Sequence, residues 1–511
     1  MSEAVEVVIL GGGTAGWMAA AALSALLPPS RCKVRLVESD EIGIVGVGEA
    51  TLPHMKNFND LIGVDEGEMM RRTKATFKLG IEFRDWGFSG SSYIHPFGIH
   101  GRSETSLGFH QKWLRARHAG HDLNLEDFSF AIVASRQNRF DFPPAGKHSV
   151  ASTYGYAYHF DASLYAAFLR EFVEGRGVTR IEGKVRSVER LAETGDIASL
   201  TLESGEVIRG DFYIDCSGFR SLILGETLGG GWEDWSKWLP CDRAWAVPCE
   251  NAGELTPYTR STARDAGWQW RIPLQHRIGN GHVFATGFTT EEQARETLLA
   301  NLDGRALAEP RMLRFQAGRR THSWSGNCVA LGLASGFLEP LESTSIYLIQ
   351  IALMHLMPLF PDRQVDPVLR EEFNRRMDLE YERIRDFLIL HYHLTSREDS
   401  ELWRYCRAMD VPDSLNHKME LFRRRGHIDR YRDGLFTPPS WLSVFVGQGL
   451  VPENHHPTLD AAPVDRLLEE LETLRDEIQD RVGEMPKHDA VIARYSDAMP
   501  AGDPFSFGLP A

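Results

Sequence analysis

Three glycines near the start of the chain have the spacing of a loop that binds a phosphate group. Gly11, Gly13 and Gly16 follow a short β-branched run and precede an alanine-rich stretch. Gly11 permits a tight turn, Gly13 lets the backbone approach a pyrophosphate, and Gly16 allows close packing of a helix on a strand. Glu38, 22 positions after Gly16, can accept hydrogen bonds from a ribose. This spacing predicts a dinucleotide site.

The residues around this loop predict a strand, a helix and a second strand in that order. Residues 5–10 have the pattern of a buried parallel strand, residues 17–27 have a helical composition, and residues 33–37 form the second strand. Thr14 and Ala15 lie in the turn before the helix, whose free N–H groups can hold a diphosphate.

Two later segments favour FAD over NAD as the cofactor. Residues 214–220 have the strand-then-glycine pattern of a second contact in FAD oxidoreductases, and residues 332–340 resemble their late flavin loop. Three glycine features spread over one chain fit a two-domain flavin fold better than a simple dehydrogenase. We therefore predict FAD.

The remaining pattern predicts the fold class and the domains. We expect an α/β protein in which an FAD-binding, doubly wound (Rossmann-like) domain is merged with a β-rich substrate layer, followed by a helical C-terminal region. Residues 1–360 form the FAD-binding module, with β-rich substrate segments inserted around 80–180 and 229–290. Residues 361–511 form the mainly helical region, which closes the substrate pocket.

Composition excludes several other classes of protein. The 511 residues carry a net charge of −15, which argues against binding of nucleic acid because such proteins need a basic face. The six cysteines are scattered and predict inert thiols in a reducing compartment. The N-terminus has no basic segment typical of a signal peptide, and the longest apolar stretch, residues 345–360, is too short to span a bilayer. We predict a soluble cytoplasmic protein without a membrane segment. The histidine spacing suggests no metal site.

Four motifs together resemble the family of flavin-dependent tryptophan halogenases. They stand in the same order along the chain, and the G-W-x-W-x-I-P heptapeptide is the hallmark of that family. The likeness extends to His391-Tyr392 and to residues 397–400. The motifs are GGGTAGW at residues 11–17, GVGEAT at 46–51, GWQWRIP at 267–273 and EPLEST at 339–344.

This resemblance implies a reaction. A separate flavin reductase supplies FADH2, which reacts with O2 so that a halide ion, chloride or bromide, is oxidised to hypohalous acid. The oxidant then travels through the protein to a lysine, which directs the halogen onto an electron-rich aromatic such as indole. Two alternatives remain open at this point: an FAD-dependent aromatic hydroxylase, and a flavin-binding protein without catalysis.

The resemblance also assigns roles to individual residues. Lys78 matches the directing lysine, as an ammonium or as a haloamine, with Lys74 as the rival. Glu342 matches the active-site glutamate, which stabilises the cationic ring intermediate, removes its proton or holds Lys78. Thr344 and Ser345, at a helix start, are expected to bind the halide, although the family commonly has glycine in place of Ser345. The further flavin contacts that it implies are Ala50, Val185, Leu333 and Ile346.

Aromatic residues complete the expected site. Trp268 and Trp270 are two apart, so on a strand they face the same side, and the family likeness places them as a shield between flavin and substrate. His95, Phe97 and Phe436 are the expected substrate contacts, with Phe97 offering a ring face to an indole.

One departure from the family bears on the substrate. Members that act on free tryptophan carry a Tyr-Tyr pair and a glutamate that hold the amino-acid end. This chain has Arg423-Arg424-Arg425, Tyr431 and Leu435 in that region. The clamp is missing, which favours indole, an indole derivative, or a larger or carrier-bound aromatic. A symmetric homodimer is the default expectation for the assembly.

Overall fold

A computed structural model describes residues 3–41, 48–102, 107–144, 149–431 and 434–495. Gly46 and Val47 of the second motif lie outside the described residues.

The described residues form 22 strands, most of them short. In chain order they are β1 Val5–Leu10, β2 Cys32–Glu38, β3 Gly48–Ala50, β4 Thr76–Lys78, β5 Gly80–Arg84, β6 Ser92–Pro96, β7 Ala157–Asp161, β8 Thr179–Glu182, β9 Val185–Arg190, β10 Ile197–Leu202, β11 Val207–Arg209, β12 Phe212–Asp215, β13 Trp232–Asp234, β14 Arg243–Cys249, β15 Thr259–Arg264, β16 Gly267–Pro273, β17 Ile278–Phe284, β18 Arg311–Arg314, β19 Gly318–Arg320, β20 Trp324–Ser325, β21 Cys328–Ala330 and β22 Gly336–Phe337.

The described residues also form 14 α-helices, which dominate the chain after residue 344. They are α1 Thr14–Leu26, α2 His54–Ile62, α3 Glu66–Arg72, α4 Phe109–His118, α5 Phe130–Arg136, α6 Ala162–Glu174, α7 Glu291–Ala300, α8 Thr344–Leu356, α9 Pro367–His393, α10 Glu401–Ala408, α11 Asp413–Arg425, α12 Pro438–Gly447, α13 Val464–Glu484 and α14 His488–Ile492.

A six-stranded sheet with the order β20-β21-β12-β1-β2-β8 forms the nucleotide-binding part. Strand β1 lies between β2 and β12 and is parallel to both. Its side chains are nearly all buried, as expected for a parallel strand covered on both faces. The predicted strand–helix–strand unit is confirmed, and so is the mixed α/β fold class.

A seven-stranded, mainly antiparallel sheet forms the second layer, with the order β18-β14-β17-β16-β15-β5-β6. Strands β5 and β15 are its one parallel pair among the described residues. Every residue of β16 and β17 is buried, so this sheet is also covered on both faces.

A small three-stranded sheet, with the order β3-β7-β4, carries the lysine of interest. The central strand β7 pairs with β3 on one side and places Ala157 opposite Lys78 on the other. All five of its residues are buried. This sheet therefore anchors Lys78 inside the protein.

Two helix boundaries differ from the sequence prediction. Helix α1 begins at Thr14, three residues before the predicted start at Trp17. The apolar stretch of residues 345–360 predicts a helix to Phe360, but α8 ends at Leu356 and continues as a 3₁₀ turn over Met357–Leu359. Pro358 has no N–H to continue the α-helical hydrogen bonds.

Apolar residues at a spacing of three to four after residue 463 predict a packing helix. Helix α13 confirms it, with Leu467, Leu471, Leu474 and Ile478 buried.

One hydrophobic core joins these layers, with residues from β1 through to Ile492 of α14. A smaller cluster lies between the nucleotide sheet and the sheet formed by β9, β10 and β11. Among the described residues, no helix is both long enough and apolar enough to cross a bilayer. The domain boundary at residue 360 stays a prediction.

Candidate active site

The glycine loop has the geometry that its spacing predicts. A Cβ atom at Gly16 would lie 1.8 Å from the carbonyl oxygen of Gly11, so only glycine fits this turn. A Cβ at Gly13 would meet nothing within 4 Å, which leaves open space above the start of α1. No side chain caps that helix start. Its N–H groups can therefore donate to a diphosphate.

The second and late glycine segments converge on this loop. A Cβ at Gly11, whose φ is +112°, would lie 2.3 Å from the carbonyl oxygen of Cys216, directly after β12. A Cβ at Gly332 would lie 3.1 Å from the Cβ of Ala15. Three segments distant in sequence thus form one cradle.

Glu38 lies at this cradle with its carboxylate against the loop. A Cβ at Gly12 would lie 1.3 Å from its Oε2, and Oε1 accepts a hydrogen bond of 2.5 Å from Nε of Arg180. The arginine orients the carboxylate, which sits where a ribose acceptor is expected.

The other predicted flavin contacts lie on separate elements. Ala50 is buried in β3 and Ile346 is buried in the first turn of α8, while Leu333 is half-buried in the 3₁₀ turn that contains Gly332. Val185 begins β9 and packs on the smaller hydrophobic cluster. The open helix start, the glycine cradle and the ribose acceptor fit an FAD.

Lys78 is completely buried in β4. Its Nζ donates hydrogen bonds to the carbonyl oxygen of Thr51, at 3.0 Å, and to Oγ of Ser343, at 2.8 Å. It also lies 5.0 Å from the ring centre of Phe97, a cation–π distance. Burial lowers the pKa of Lys78 to about 7, although the charge of Glu342 acts to raise it. Lys74, the rival, is only half-buried and lies in the turn before β4.

Glu342 is completely buried between two histidines. Nδ1 of His95 lies 2.8 Å from Oε2, and Nε2 of His391 lies 2.8 Å from Oε1. The second contact is within ion-pair distance, although its alignment is poor for a hydrogen bond. Burial raises the pKa of Glu342, but the two histidines outweigh it and lower this pKa to about 2. The carboxylate is therefore ionised at neutral pH.

Aromatic rings pack around His95, which contacts Glu342. The ring centres of His95 and Phe97 are 6.5 Å apart, and those of His95 and Phe436 are 6.2 Å apart. Phe436 stacks on Phe387 of α9 at 3.8 Å. The structure thus brings together the predicted catalytic and substrate residues, and it adds Phe387.

The start of α8 adjoins Glu342 and has polar groups to which the described part of the chain offers no hydrogen-bond partner. Ser343 has left-handed backbone torsion angles, with φ +60°, and precedes the helix without capping it. Thr344 is completely buried, and its Oγ1 has no hydrogen-bond partner among the described residues. Ser345 follows in the first turn. Such a buried, donor-rich helix start suits a halide ion.

Trp268 and Trp270 lie together on β16, with ring centres 6.1 Å apart. A Cβ at Gly281 would lie 2.1 Å from the Trp270 ring, so glycine in β17 makes room for it. Nε1 of Trp268 donates a 2.8 Å hydrogen bond to Oε2 of Glu339, which also accepts from the hydroxyl of Tyr392. Burial raises the pKa of Glu339 to about 7, against these hydrogen bonds. Trp268 is thus fixed to the loop that carries Glu342, and Trp270 lies beside it.

The sequence reasoning missed the partners that hold the two central residues. His391 was considered as a metal ligand and rejected, and its contact with Glu342 was not foreseen. Ser343 and Thr51 were seen only as parts of motifs, yet both accept hydrogen bonds from Lys78. Only the three-dimensional contact between α9 and the loop after β22 reveals the role of His391.

Comparisons with known proteins agree with this geometry. A family model described as tryptophan halogenase matches residues 6–464. The chain belongs to the tryptophan halogenase family. It is 35% identical to tryptophan 6-halogenase ThaL of Streptomyces albogriseolus, over 89% of this chain and 92% of ThaL.

Two solved structures of flavin-dependent halogenases have the same fold. BrvH from Brevundimonas sp. BAL3 is 45% identical, with a TM-score of 0.93 over 97% of this chain and 99% of BrvH. Xcc4156 from Xanthomonas campestris is 48% identical, with a TM-score of 0.93 over 98% of this chain and 100% of Xcc4156. This member of the family is an FADH2-dependent halogenase that uses FAD and a halide. Hydroxylation and a non-catalytic role are not favoured.

Proposed function

We propose that this halogenase acts on indole, or on an indole derivative without a free α-ammonium group, and that Lys78 and Glu342 carry the transfer. The observation that supports this most directly is that a buried amine, bonded to Ser343, and the buried carboxylate of the preceding residue lie beside aromatic side chains. Phe97, Phe387 and Phe436 offer faces and edges for an indole ring.

Charged groups at the outer edge of this pocket argue against free tryptophan. Nζ of Lys418 lies 5.2 Å from the ring centre of Trp441, which packs on Phe387. The carboxylate of Asp386 contacts Lys418 at 3.4 Å and Arg385 at 2.8 Å. A carboxylate already paired with two cations offers little to the ammonium group of an amino acid.

The halide is expected to bind at the start of α8. Reduced flavin and O2 supply the oxidising equivalent that turns a halide into hypohalous acid. The N–H groups of the first turn and Oγ1 of Thr344 would hold the anion, and Trp268 and Trp270 would keep the aromatic substrate away from the flavin cradle.

Lys78 would act as an ammonium that donates a hydrogen bond to the hypohalous oxygen. The ring carbon forms its bond to the halogen as the halogen–oxygen bond breaks, and the oxygen leaves as water after taking a proton. The ionised Glu342 would stabilise the cationic ring and then accept the proton from the substituted carbon. The products are the halogenated aromatic and water.

Product mass with different substrates and halides tests this proposal. Reduced FAD, O2 and bromide are supplied with indole or with free tryptophan. We expect a product in which bromine replaces hydrogen, formed faster from indole than from tryptophan. Faster turnover of tryptophan would contradict the substrate proposal. A product that gains oxygen, in a yield independent of halide, would contradict the transfer chemistry.

The remaining context is also a proposal. A separate flavin reductase would supply FADH2. The six cysteines are all free thiols, which supports a reducing, cytoplasmic location. A homodimer stays a prediction that light scattering can check.

A further inference from the structure

The ring of His391 is held in one tautomer by its own helix. Nδ1 lies 2.8 Å from the carbonyl oxygen of Phe387, one turn earlier in α9. A carbonyl oxygen only accepts hydrogen bonds, so Nδ1 must carry a hydrogen. In a neutral ring Nε2 would then carry a lone pair and no proton.

That arrangement has a direct consequence for Glu342. Nε2 lies 2.8 Å from Oε1, and an unprotonated ring nitrogen this close to a carboxylate oxygen is repelled by it even though the two are poorly aligned. A proton on the histidine or on the glutamate removes this repulsion. Poor alignment of such a contact without substrate is common, because catalytic hydrogen bonds tighten in the substrate complex.

The neighbours of the pair favour a proton on the histidine. His95 contacts the other carboxylate oxygen, Oε2, at 2.8 Å, and a hydrogen on its Nδ1 would favour the ionised carboxylate. Lys78 adds positive charge from β4 through Ser343. The lowered pKa of Glu342 agrees with an ionised carboxylate.

Few other polar groups approach the His391 ring. It packs on the rings of Phe83, Trp86 and Phe387, with centres 4.8, 6.2 and 5.0 Å away. Its backbone carbonyl accepts from Nε2 of Gln448, which also donates to the hydroxyl of Tyr93. Glu342 is thus the titratable group that contacts the ring within the described part of the chain.

We propose that His391 is a positioning residue that carries a positive charge and keeps Glu342 ionised beside the substrate ring. Fixing both nitrogens, one to Phe387 and one to Glu342, lets the histidine aim the carboxylate and supply its counter-charge in a water-poor pocket. This inference rests on the proposed role of Glu342.

The first test compares pH profiles of halogenation in His391→Gln and in His393→Gln. Glutamine can still donate a hydrogen bond to Glu342 but carries no charge. We expect His391→Gln to lose about tenfold more activity at pH 6 than at pH 8, because the carboxylate then protonates more easily. His393 contacts the carbonyl oxygen of Cys406 instead, so its variant should keep the wild-type profile. Equal loss at every pH would overturn the proposal.

The second test needs no active variant. Nitrogen-15 NMR of histidine-labelled holoenzyme, assigned by the signal missing in His391→Gln, reports the protonation of each ring nitrogen. We expect both nitrogens of His391 to be protonated at pH 7.5, and Glu342→Gln to remove one of the two protons. A neutral ring in the wild-type enzyme would overturn this inference. Absence of halogenation by the wild type would instead contradict only the proposed function.

Discussion

The buried amine of Lys78 changes its charge in the range where the enzyme is expected to work. Its pKa of about 7 lies well below that of an exposed lysine, because the strand that carries it is enclosed on all sides. An ammonium that donates to the hypohalous oxygen is lost as the pH rises through this value. We therefore expect the protonation state of Lys78 to set the pH dependence of halogen transfer.

The ammonium role of Lys78 predicts how the yield of halogenated product changes with pH. Brominated product per reduced flavin consumed should fall as the pH rises from 6 to 9, with a midpoint near the pKa of Lys78. Reduced-flavin oxidation, measured in the same samples, is the control and should change much less. A yield that rises with pH would instead indicate a neutral amine that forms a haloamine.

The sequence could indicate Lys78 and Glu342 but not the groups that tune them. Both residues sit within short motifs of distinctive spacing. His391 is 49 positions away from Glu342 in a long helix, and the family likeness at His391-Tyr392 assigns it no role. Its importance follows from how α9 packs on the loop after β22, a tertiary contact that no local spacing encodes.

At the scale of elements, the strand–helix–strand unit could be predicted because the apolar residues of its strands and helix form continuous runs. The sheet formed by β3, β4 and β7 was not. Strands β3 and β4 have three residues each, too few to show an alternating pattern. The polar residues 203–206 between two strand-like runs predict a hairpin, and the antiparallel pairing of β10 and β11 confirms it.

The glycine turn before α1 separates a folding role from a binding role. Gly16→Ala should destabilise the protein even without FAD, because the new methyl group would meet the carbonyl oxygen of Gly11 at 1.8 Å. Gly13→Ala should leave the melting temperature of the FAD-free protein nearly unchanged but weaken FAD binding, since its methyl group would occupy the open space above the helix. Melting curves and FAD titrations measure both effects; equal melting temperatures for the two variants would contradict this distinction.

Strand β4 is secured on its free side by the short helix α14. Nε2 of His488 accepts a hydrogen bond from the backbone N–H of Phe77, and Nδ1 donates to the carbonyl oxygen of Leu255. The ring is completely buried, and burial lowers the pKa of His488 to about 4. The neutral His488 therefore connects α14 to Phe77, the residue beside Lys78.

Removing this histidine should loosen β4. His488→Ala leaves the buried N–H of Phe77 and the half-buried carbonyl of Leu255 without this partner, so we expect a loss of about 3 kcal/mol in the free energy of unfolding. Urea denaturation measures this loss. His427→Ala, which alters a largely exposed side chain, is the control. Surface substitutions typically change the free energy of unfolding by less than about 0.5 kcal/mol. A change that small for His488→Ala would show that the contact does not stabilise β4.

At the scale of the whole molecule, one continuous core joins the flavin cradle to the helical region. Trp268, Glu339 and Tyr392 form hydrogen bonds between the seven-stranded sheet, the loop after β22 and α9. These hydrogen bonds hold the loop that carries Glu342 between the sheet and the helical region.

Lys78→Ala should separate production of the oxidant from its use. We expect the variant to bind FAD and consume reduced flavin nearly as the wild type does, but to lose at least about 100-fold in halogenated indole. A water-soluble β-diketone that traps free hypohalous acid should then collect more halogen than with the wild type. Lys74→Ala is the matched control and should behave as the wild type. Loss of flavin consumption in Lys78→Ala would contradict this separation.

Ser343 lies between Glu342 of the proposed substrate site and Thr344 of the proposed halide site, so it connects the two sites directly. Its left-handed backbone turns the chain so that Glu342 faces the aromatic pocket while Thr344 begins α8, and its hydroxyl accepts from Lys78. We expect a replacement here to alter both substrate orientation and anion binding. Directed evolution toward new aromatic compounds should therefore find this position hard to exploit, because a gain in scope would come with a change in chloride or bromide preference.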